Sequence, residues 1–231
     1  LAAEHLPLID AIRLSKDPNF VVTGKGMGVS SLTQMIFNTR RKPWSDIRVR
    51  QAIAHAVDRQ VIVEKVTYGL ADPAYSAFSK KGTPWAYDPK AEAMYPHNLA
   101  KAAQLLDAAG YPVGADGFRF TTTLLGDRGV SRLVDTAEIL REQLKKLNIN
   151  LSLQLLEKAT SDQRAFITFD YDLWFGLSTY GTDPSIGIER FYVTEMIGAA
   201  VYTNANEYSN PQVDKLFLQA RSTTDPKKRG Q

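Results

Sequence analysis

Three carboxylates in the last third of the chain come nearest to a catalytic set. Asp170 and Asp172 precede an apolar stretch, and Asp183 follows it. Two carboxylates can hydrolyse a glycosidic bond when they lie about 5 to 10 Å apart in a cleft. An aspartate directly before a proline, as at Asp183-Pro184, is also a natural helix cap. We favour the capping interpretation and keep a glycosidase-type or other α/β hydrolase as the alternative.

Other chemically active residue types are missing or unsuitably spaced. The chain has no cysteine, which excludes thiolate catalysis, disulfides and cysteine-based zinc sites. Its three histidines, His5, His55 and His97, do not show the spacing of a zinc protease. The glycines of residues 24–28 read GxGxG, which matches neither a P-loop nor the dinucleotide fingerprint and suits a turn between strands. We therefore predict no catalytic residue, no metal site and no cofactor.

The overall composition is that of an ordinary globular domain. Of the 231 residues, 44% are hydrophobic and 23% are charged. The net charge of +3 comes from scattered basic residues without a basic stripe, which argues against a nucleic-acid partner. No apolar run approaches the roughly 20 residues that span a bilayer. Both ends of the sequence look cut, so we interpret it as a fragment.

The elements that position these residues alternate between helices and strands, which predicts an α/β lobe. A helix at residues 131–147 lies between strands at 118–125 and 149–155, an arrangement that favours a parallel pair. Helix caps are expected at Ser45 or Asp46, at Asp58 and at Asn98, and Asn210-Pro211 is expected to open the last helix. The other strands are predicted at residues 20–22, 32–37 and 171–177, and a further helix at 184–192.

Four ordered segments, residues 37–59, 69–89, 100–111 and 208–216, resemble motifs of one protein family. The first, which reads FNTRRKPWSDIRVRQAIAHAVDR, is the most specific. The chain is similar to the family 5 bacterial extracellular solute-binding proteins, the dipeptide, oligopeptide and nickel-type receptors of ABC importers. The resemblance covers essentially the whole chain.

The resemblance implies the fold and the domain organisation. We expect a type II periplasmic-binding-protein-like lobe, with a mixed sheet flanked by helices, truncated from a two-lobed protein. Residues 1–38 would be a remnant of the first lobe with a crossover strand. Residues 39–231 would form the second, ligand-facing lobe, and solute would be trapped when the lobes close.

The expected solute contacts follow the last apolar strand, because ligands of open α/β sheets lie at the carboxyl ends of strands. In peptide-binding members the matching loop carries an aspartate for the peptide's amino terminus, and Tyr180 stands at that position here. A neutral phenol cannot replace that charge, which favours an opine, a sugar-like compound or another solute over a standard dipeptide. Trp174 is assigned to the core. The predicted ligand-binding residues are Leu177, Ser178, Thr179, Tyr180, Gly181 and Trp85.

The resemblance also implies partners and a location. The protein would capture a peptide, an opine or a sugar-like solute, hand it to an ABC permease in the membrane, and catalyse no reaction. It would be periplasmic, or extracellular and membrane-anchored in a Gram-positive host.

Overall fold

The computed structural model describes residues 8–21, 30–180, 183–198 and 200–230. The strands are β1 (Ser30–Phe37), β2 (Phe120–Asp127), β3 (Ile149–Leu156) and β4 (Leu173–Tyr180). The helices are α1 (Leu8–Leu14), α2 (Ile47–Ala56), α3 (Arg59–Thr67), α4 (Ala91–Met94), α5 (Leu99–Ala108), α6 (Ser131–Lys145), α7 (Lys158–Asp162), α8 (Pro184–Gly187), α9 (Pro211–Arg221) and α10 (Pro226–Arg229). A π-helical turn (Gln163–Ile167) continues α7, and two 3₁₀ turns (Glu189–Phe191 and Thr194–Met196) follow α8.

The four strands form one mixed sheet in the order β1-β4-β2-β3. β2 is parallel to both β3 and β4, while β1 is antiparallel to β4 over its full length. The predicted strand–helix–strand unit is therefore confirmed, with α6 connecting the parallel strands β2 and β3. The carboxyl ends of β2, β3 and β4 lie at the same edge of the sheet.

Side chains alternate along the strands and bury two separate cores, one on each face of the sheet. Leu124 and Phe175 belong to a first core, which Trp44 and helices α2, α5 and α6 complete. Leu125 and Trp174, their neighbours in sequence, belong to a second core, which includes Phe166 of the π-helical turn. The mixed sheet flanked by helices agrees with the predicted fold class.

The predicted caps are confirmed because their side chains accept backbone hydrogen bonds at helix starts. Asp46, Asp58, Asn98 and Asn210 cap α2, α3, α5 and α9, respectively. Each cap satisfies amide groups that have no partner inside the helix. Asp46 also accepts from the side chain of Arg48 at 2.6 Å, so this arginine supports the start of α2.

Three local predictions were wrong. Phe20 is not in a strand, because its amide bonds the carbonyl of Asp17 in a turn. The helix predicted at residues 184–192 is broken: α8 ends at Gly187, and the amides of Phe191 and Tyr192 bond three residues back as in a 3₁₀ turn. The strand predicted to end at residue 177 continues to Tyr180, because β1 supplies hydrogen-bond partners along that length. The glycine run at residues 24–28 lies outside the described residues.

We expect Gly176→Ala to destabilise the lobe by about 1 to 3 kcal/mol, the usual range for overpacking a core. Gly176 lies in the middle of β4, and a Cβ there would overlap the indole ring of Trp174. Native-state hydrogen exchange of the β2 amides would measure the change in the free energy of unfolding. The same substitution in a Trp174→Ala background should cost much less, and an equal cost in both backgrounds would contradict the overlap.

Candidate functional site

Charged side chains occupy the edge where the three parallel strands end. Arg128 directly follows β2, and Glu157 directly follows β3. The Nε of Arg128 donates to a carboxylate oxygen of Glu157 at 3.0 Å, and both side chains are more than half exposed, at 61% and 68%. An exposed pair of this kind is held loosely, because water competes for both partners. It can therefore exchange its internal contact for one with a solute.

A second charged group lies beside this pair, on the face of the sheet that carries the second core. Lys158, the first residue of α7, donates to Asp162 and to the hydroxyl of Tyr202, and that hydroxyl donates to Asp162 at 3.0 Å. These residues adjoin an open groove of about 660 Å³ whose lining includes Ile167 and Val201. The edge thus combines charge pairs with exposed apolar surface.

The predicted site residues of β4 are split between the two faces of the sheet. Thr179 is exposed and Leu177 is half-buried, while Ser178 and Tyr180 are buried on the other face. Gln34 bridges the buried pair: its amide nitrogen donates to Ser178 at 2.8 Å, and its oxygen accepts from Tyr180 at 2.7 Å. Gly181 lies outside the described residues.

The packing of Tyr180 gives this side chain a structural role in the described conformation. Its ring is 1% exposed and contacts Phe191 edge to face at 5.4 Å. Burial raises the pKa of the Tyr180 phenol above its ordinary value, so the group stays neutral at physiological pH. A neutral, buried phenol does not offer a charge to a solute's ammonium group.

Trp85, the remaining predicted site residue, lies half-buried in the long loop before α4. The guanidinium of Arg229 lies over its ring at 5.0 Å. The same guanidinium donates to both carboxylate oxygens of Asp183, at 2.8 and 2.6 Å. Trp85 and the residues that follow β4 are therefore joined through one arginine.

The three aspartates do not form a catalytic pair. Asp183 caps α8, and the hydrogen bonds from Arg229 lower its pKa to about 2. Asp170 and Asp172 lie at the opposite end of β4, where both bond Arg41, at 3.2 and 3.4 Å. A strand of this length separates the two ends by more than about 20 Å, too far for a glycosidase pair.

Asp170 and Asp172 themselves are bound as structural ion-pair partners. The hydrogen bond from Arg41 lowers the pKa of Asp170 below its ordinary value, with Arg164 adding to the effect. Asp172 accepts from the amide of Thr123 at 3.1 Å. A general acid needs a raised pKa, whereas the pKa of Asp170 is lowered. Both carboxylates also bond Arg41, so the hydrolase alternative is not supported.

Comparison with known proteins decides the family. The sequence model of the bacterial extracellular solute-binding proteins, family 5 (middle), matches residues 2–195. The chain belongs to this family. This family is made of binding proteins rather than enzymes. The resemblance inferred from the four segments is therefore confirmed.

Individual family members agree in sequence and in fold. The glutathione-binding protein GsiB of Salmonella choleraesuis is 25% identical over 97% of this chain and 42% of its own length. The oligopeptide-binding protein AppA of Bacillus subtilis is 30% identical over 83% of the chain and 36% of its own length. The periplasmic binding protein AgaA of A. tumefaciens R10, solved with agropinic acid, superposes with a TM-score of 0.76 and 28% identity, covering 97% of this chain and 43% of AgaA. The chain thus spans less than half the length of these relatives.

Four residues of this edge were not singled out from the sequence. Arg128, Glu157 and Lys158 lie two or three residues beyond the predicted strands at 118–125 and 149–155, so the strand-end rule already applied to β4 could have found them. Tyr202 gives no such signal, because it comes from a distant irregular segment that folds back onto α7.

Within residues 8–21, 30–180, 183–198 and 200–230, no helix has the length and hydropathy needed to cross a membrane. In the same ranges, no group of three or more potential ligands is placed to hold a metal ion.

Proposed function

We propose that residues 39–231 form the second, ligand-facing lobe of an ABC-importer receptor, and that residues 1–38 belong to the first lobe and a crossover strand. The receptor would bind its solute outside the cytoplasmic membrane. The observation that carries the proposal is the shared edge of β2, β3 and β4, where loosely held charges face open surface. Family membership and the length of the relatives support the presence of the first lobe on the other side of that edge.

A zwitterionic solute, such as a peptide or an opine, fits this edge better than a sugar-like compound does. Arg128 can bind a carboxylate through its planar guanidinium, and Glu157 can bind an ammonium group. Their own pair balances these charges while no solute is present. Glu157 would also supply the negative charge that Tyr180 cannot provide. A neutral sugar has no charged group with which to replace the contact between Arg128 and Glu157.

The solute would stabilise the closed arrangement by contacting both lobes at once. Closure is then a population shift, because only the closed state lets the solute bond both surfaces. Delivery to a permease follows from family membership and needs no catalytic group on this lobe.

We expect Arg128→Gln in the full-length protein to weaken solute binding by about tenfold or more, the effect of losing a hydrogen bond to a charged group. Titration calorimetry with glutathione, agropinic acid and the dipeptide Met-Leu would measure it. At least one of these compounds should bind the unsubstituted protein with saturation.

Arg141→Gln is the matched control, because Arg141 forms a similarly exposed pair with Glu138 on α6, away from the strand ends. This variant should bind as tightly as the unsubstituted protein. If Arg128→Gln also leaves the affinity unchanged, the proposed role of this edge is wrong. If none of the three compounds binds, the proposed solute class is wrong.

A further inference from the structure

Arg229 joins three segments that are far apart in the sequence. Its side chain is 11% exposed, which is unusual for an arginine. One terminal nitrogen donates to Asp183 at 2.8 Å, and the other donates to Asp183 at 2.6 Å and to Ser185 at 2.7 Å. The guanidinium also covers the ring of Trp85. The last described helix is thereby held against two loops.

The bond to Asp183 fixes the backbone that follows β4. Asp183 is the first described residue after residues 181–182, and its carboxylate also accepts from the amide of Ser185 at 2.9 Å to cap α8. A bidentate guanidinium sets the orientation of a carboxylate as well as its position. Arg229 thus holds the first turn of α8 through Asp183 and Ser185.

The contact with Trp85 extends this restraint to the loop before α4, which carries this predicted site residue. A Cβ on Gly230 would overlap the carbonyl of Trp85, so α10 approaches the loop as closely as glycine permits. The buried side chain of Thr83, which donates to the carbonyl of Ser79 at 3.2 Å, stiffens the same loop. Trp85 and the start of α8 therefore share one support.

We propose that Arg229 is a positioning residue of the solute site: it holds the start of α8 and the loop of Trp85 in their binding geometry without touching the solute. This inference rests on the proposed function, because it takes these two segments to face the solute. Residue 229 lies beyond the part of the chain that the family's sequence model matches.

Hydrogen exchange in the full-length protein tests the restraint without any solute. In Arg229→Gln, the amide protection factors of Ile186, in α8, and of Ile188, directly after it, should fall about tenfold, because local opening becomes easier. The β2 amides should keep their protection. Asp183→Asn should have the same effect, since asparagine retains the cap but loses the charge pair. Combining both changes should add little more, as expected for one shared interaction.

Solute affinity tests the consequence for binding. With whichever of glutathione, agropinic acid or Met-Leu binds the unsubstituted protein, Arg229→Gln should weaken binding about tenfold, through a less ordered site. The affinity of Arg229→Lys should lie between those of Arg229→Gln and the unsubstituted protein. Lysine keeps the positive charge but lacks the planar guanidinium that bonds both carboxylate oxygens. Lys228→Gln, an exposed neighbour on α10, is the control and should change neither measurement.

The two measurements separate this proposal from the proposed function. Unchanged protection at Ile186 and Ile188 in Arg229→Gln overturns the positioning role, whatever the solute does. Lost protection with unchanged affinity also overturns it, because the support would then be structural only. If none of the three compounds binds the unsubstituted protein, the proposed solute class fails, and the exchange result alone decides the role of Arg229.

Discussion

Trp174→Ala should lower the free energy of unfolding of this lobe by about 3 to 5 kcal/mol, the range for truncating a buried aromatic side chain. Trp174 is 2% exposed on β4 and lies 5.0 Å from the ring of Phe166, edge to face. Tyr202 covers it at 6.2 Å. Removing the indole therefore leaves a cavity at the centre of the second core, and the surrounding rings can collapse only partly. Native-state hydrogen exchange of Leu124 and Leu125 would report the loss.

A smaller substitution separates the hydrophobic contribution from the polar one. Among the described residues the indole nitrogen of Trp174 has no hydrogen-bond acceptor, so the core gains nothing from its N–H group. Trp174→Phe should therefore cost clearly less than Trp174→Ala. Leu70→Ala serves as the surface control: Leu70 is 60% exposed, and a substitution there should change stability by less than about 0.5 kcal/mol.

The outcome also distinguishes a core tryptophan from a solute-binding one. A core residue changes the free energy of unfolding whether or not a solute is present. If Trp174→Ala has the same free energy of unfolding as the unsubstituted protein but no longer binds solute, then Trp174 belongs to the site. The assignment of Trp174 to the second core would then be wrong.

The ion pairs around the sheet explain why carboxylates that look catalytic in the sequence serve structural roles. Each end of β4 carries acidic side chains, and arginines from distant segments, Arg41 and Arg229, neutralise them. These contacts hold irregular segments against the sheet. The exposed pair of Arg128 and Glu157 is different, because it joins the ends of two adjacent strands and remains open to water.

Much of the sheet could be predicted from local sequence patterns. The apolar runs around Leu124, Leu151 and Leu173 mark β2, β3 and β4, and the stripe through Leu140 and Leu144 marks the buried face of α6. Caps such as Asp58 and Asn98 could also be located, because an Asp or Asn side chain before a helix accepts a hydrogen bond from a backbone N–H group only two or three residues later. These features depend on neighbours within a few residues.

The candidate site was harder to predict because its arrangement depends on distant contacts. Strand β4 extends to Tyr180 only because β1, some 140 residues earlier in the chain, pairs with it. That pairing, together with Gln34 and Phe191, turns the Tyr180 phenol into the core. The position of Trp85 likewise depends on Arg229, whose side chain gives no periodic signal. Local patterns located the ends of β2 and β3 to within two residues. They could show neither the end of β4 nor which side chains at the strand ends face water.

Residues 1–231 alone should bind solute far more weakly than the full-length protein does, since we propose that the first lobe supplies half of the contacts. A dissociation constant of about 1 µM corresponds to a binding free energy of about −8 kcal/mol. Half of that free energy corresponds to a dissociation constant of about 1 mM, so the affinity would fall roughly 1,000-fold. Titration calorimetry of both proteins with the same compound would measure the ratio. The groove of about 660 Å³ beside α7, at the strand-end edge, is open at the surface, as expected for half of a cleft.

The comparison requires a folded lobe, so hydrogen exchange of the β2 and β3 amides in residues 1–231 serves as its control. These amides should be protected, because both cores lie within the chain. A folded lobe that binds with the full-length affinity would contradict a cleft shared between two lobes, and it would place the whole site on this one. A folded lobe that binds about 1,000-fold more weakly would mean that the charges at the strand ends bind solute tightly only when the first lobe closes over them.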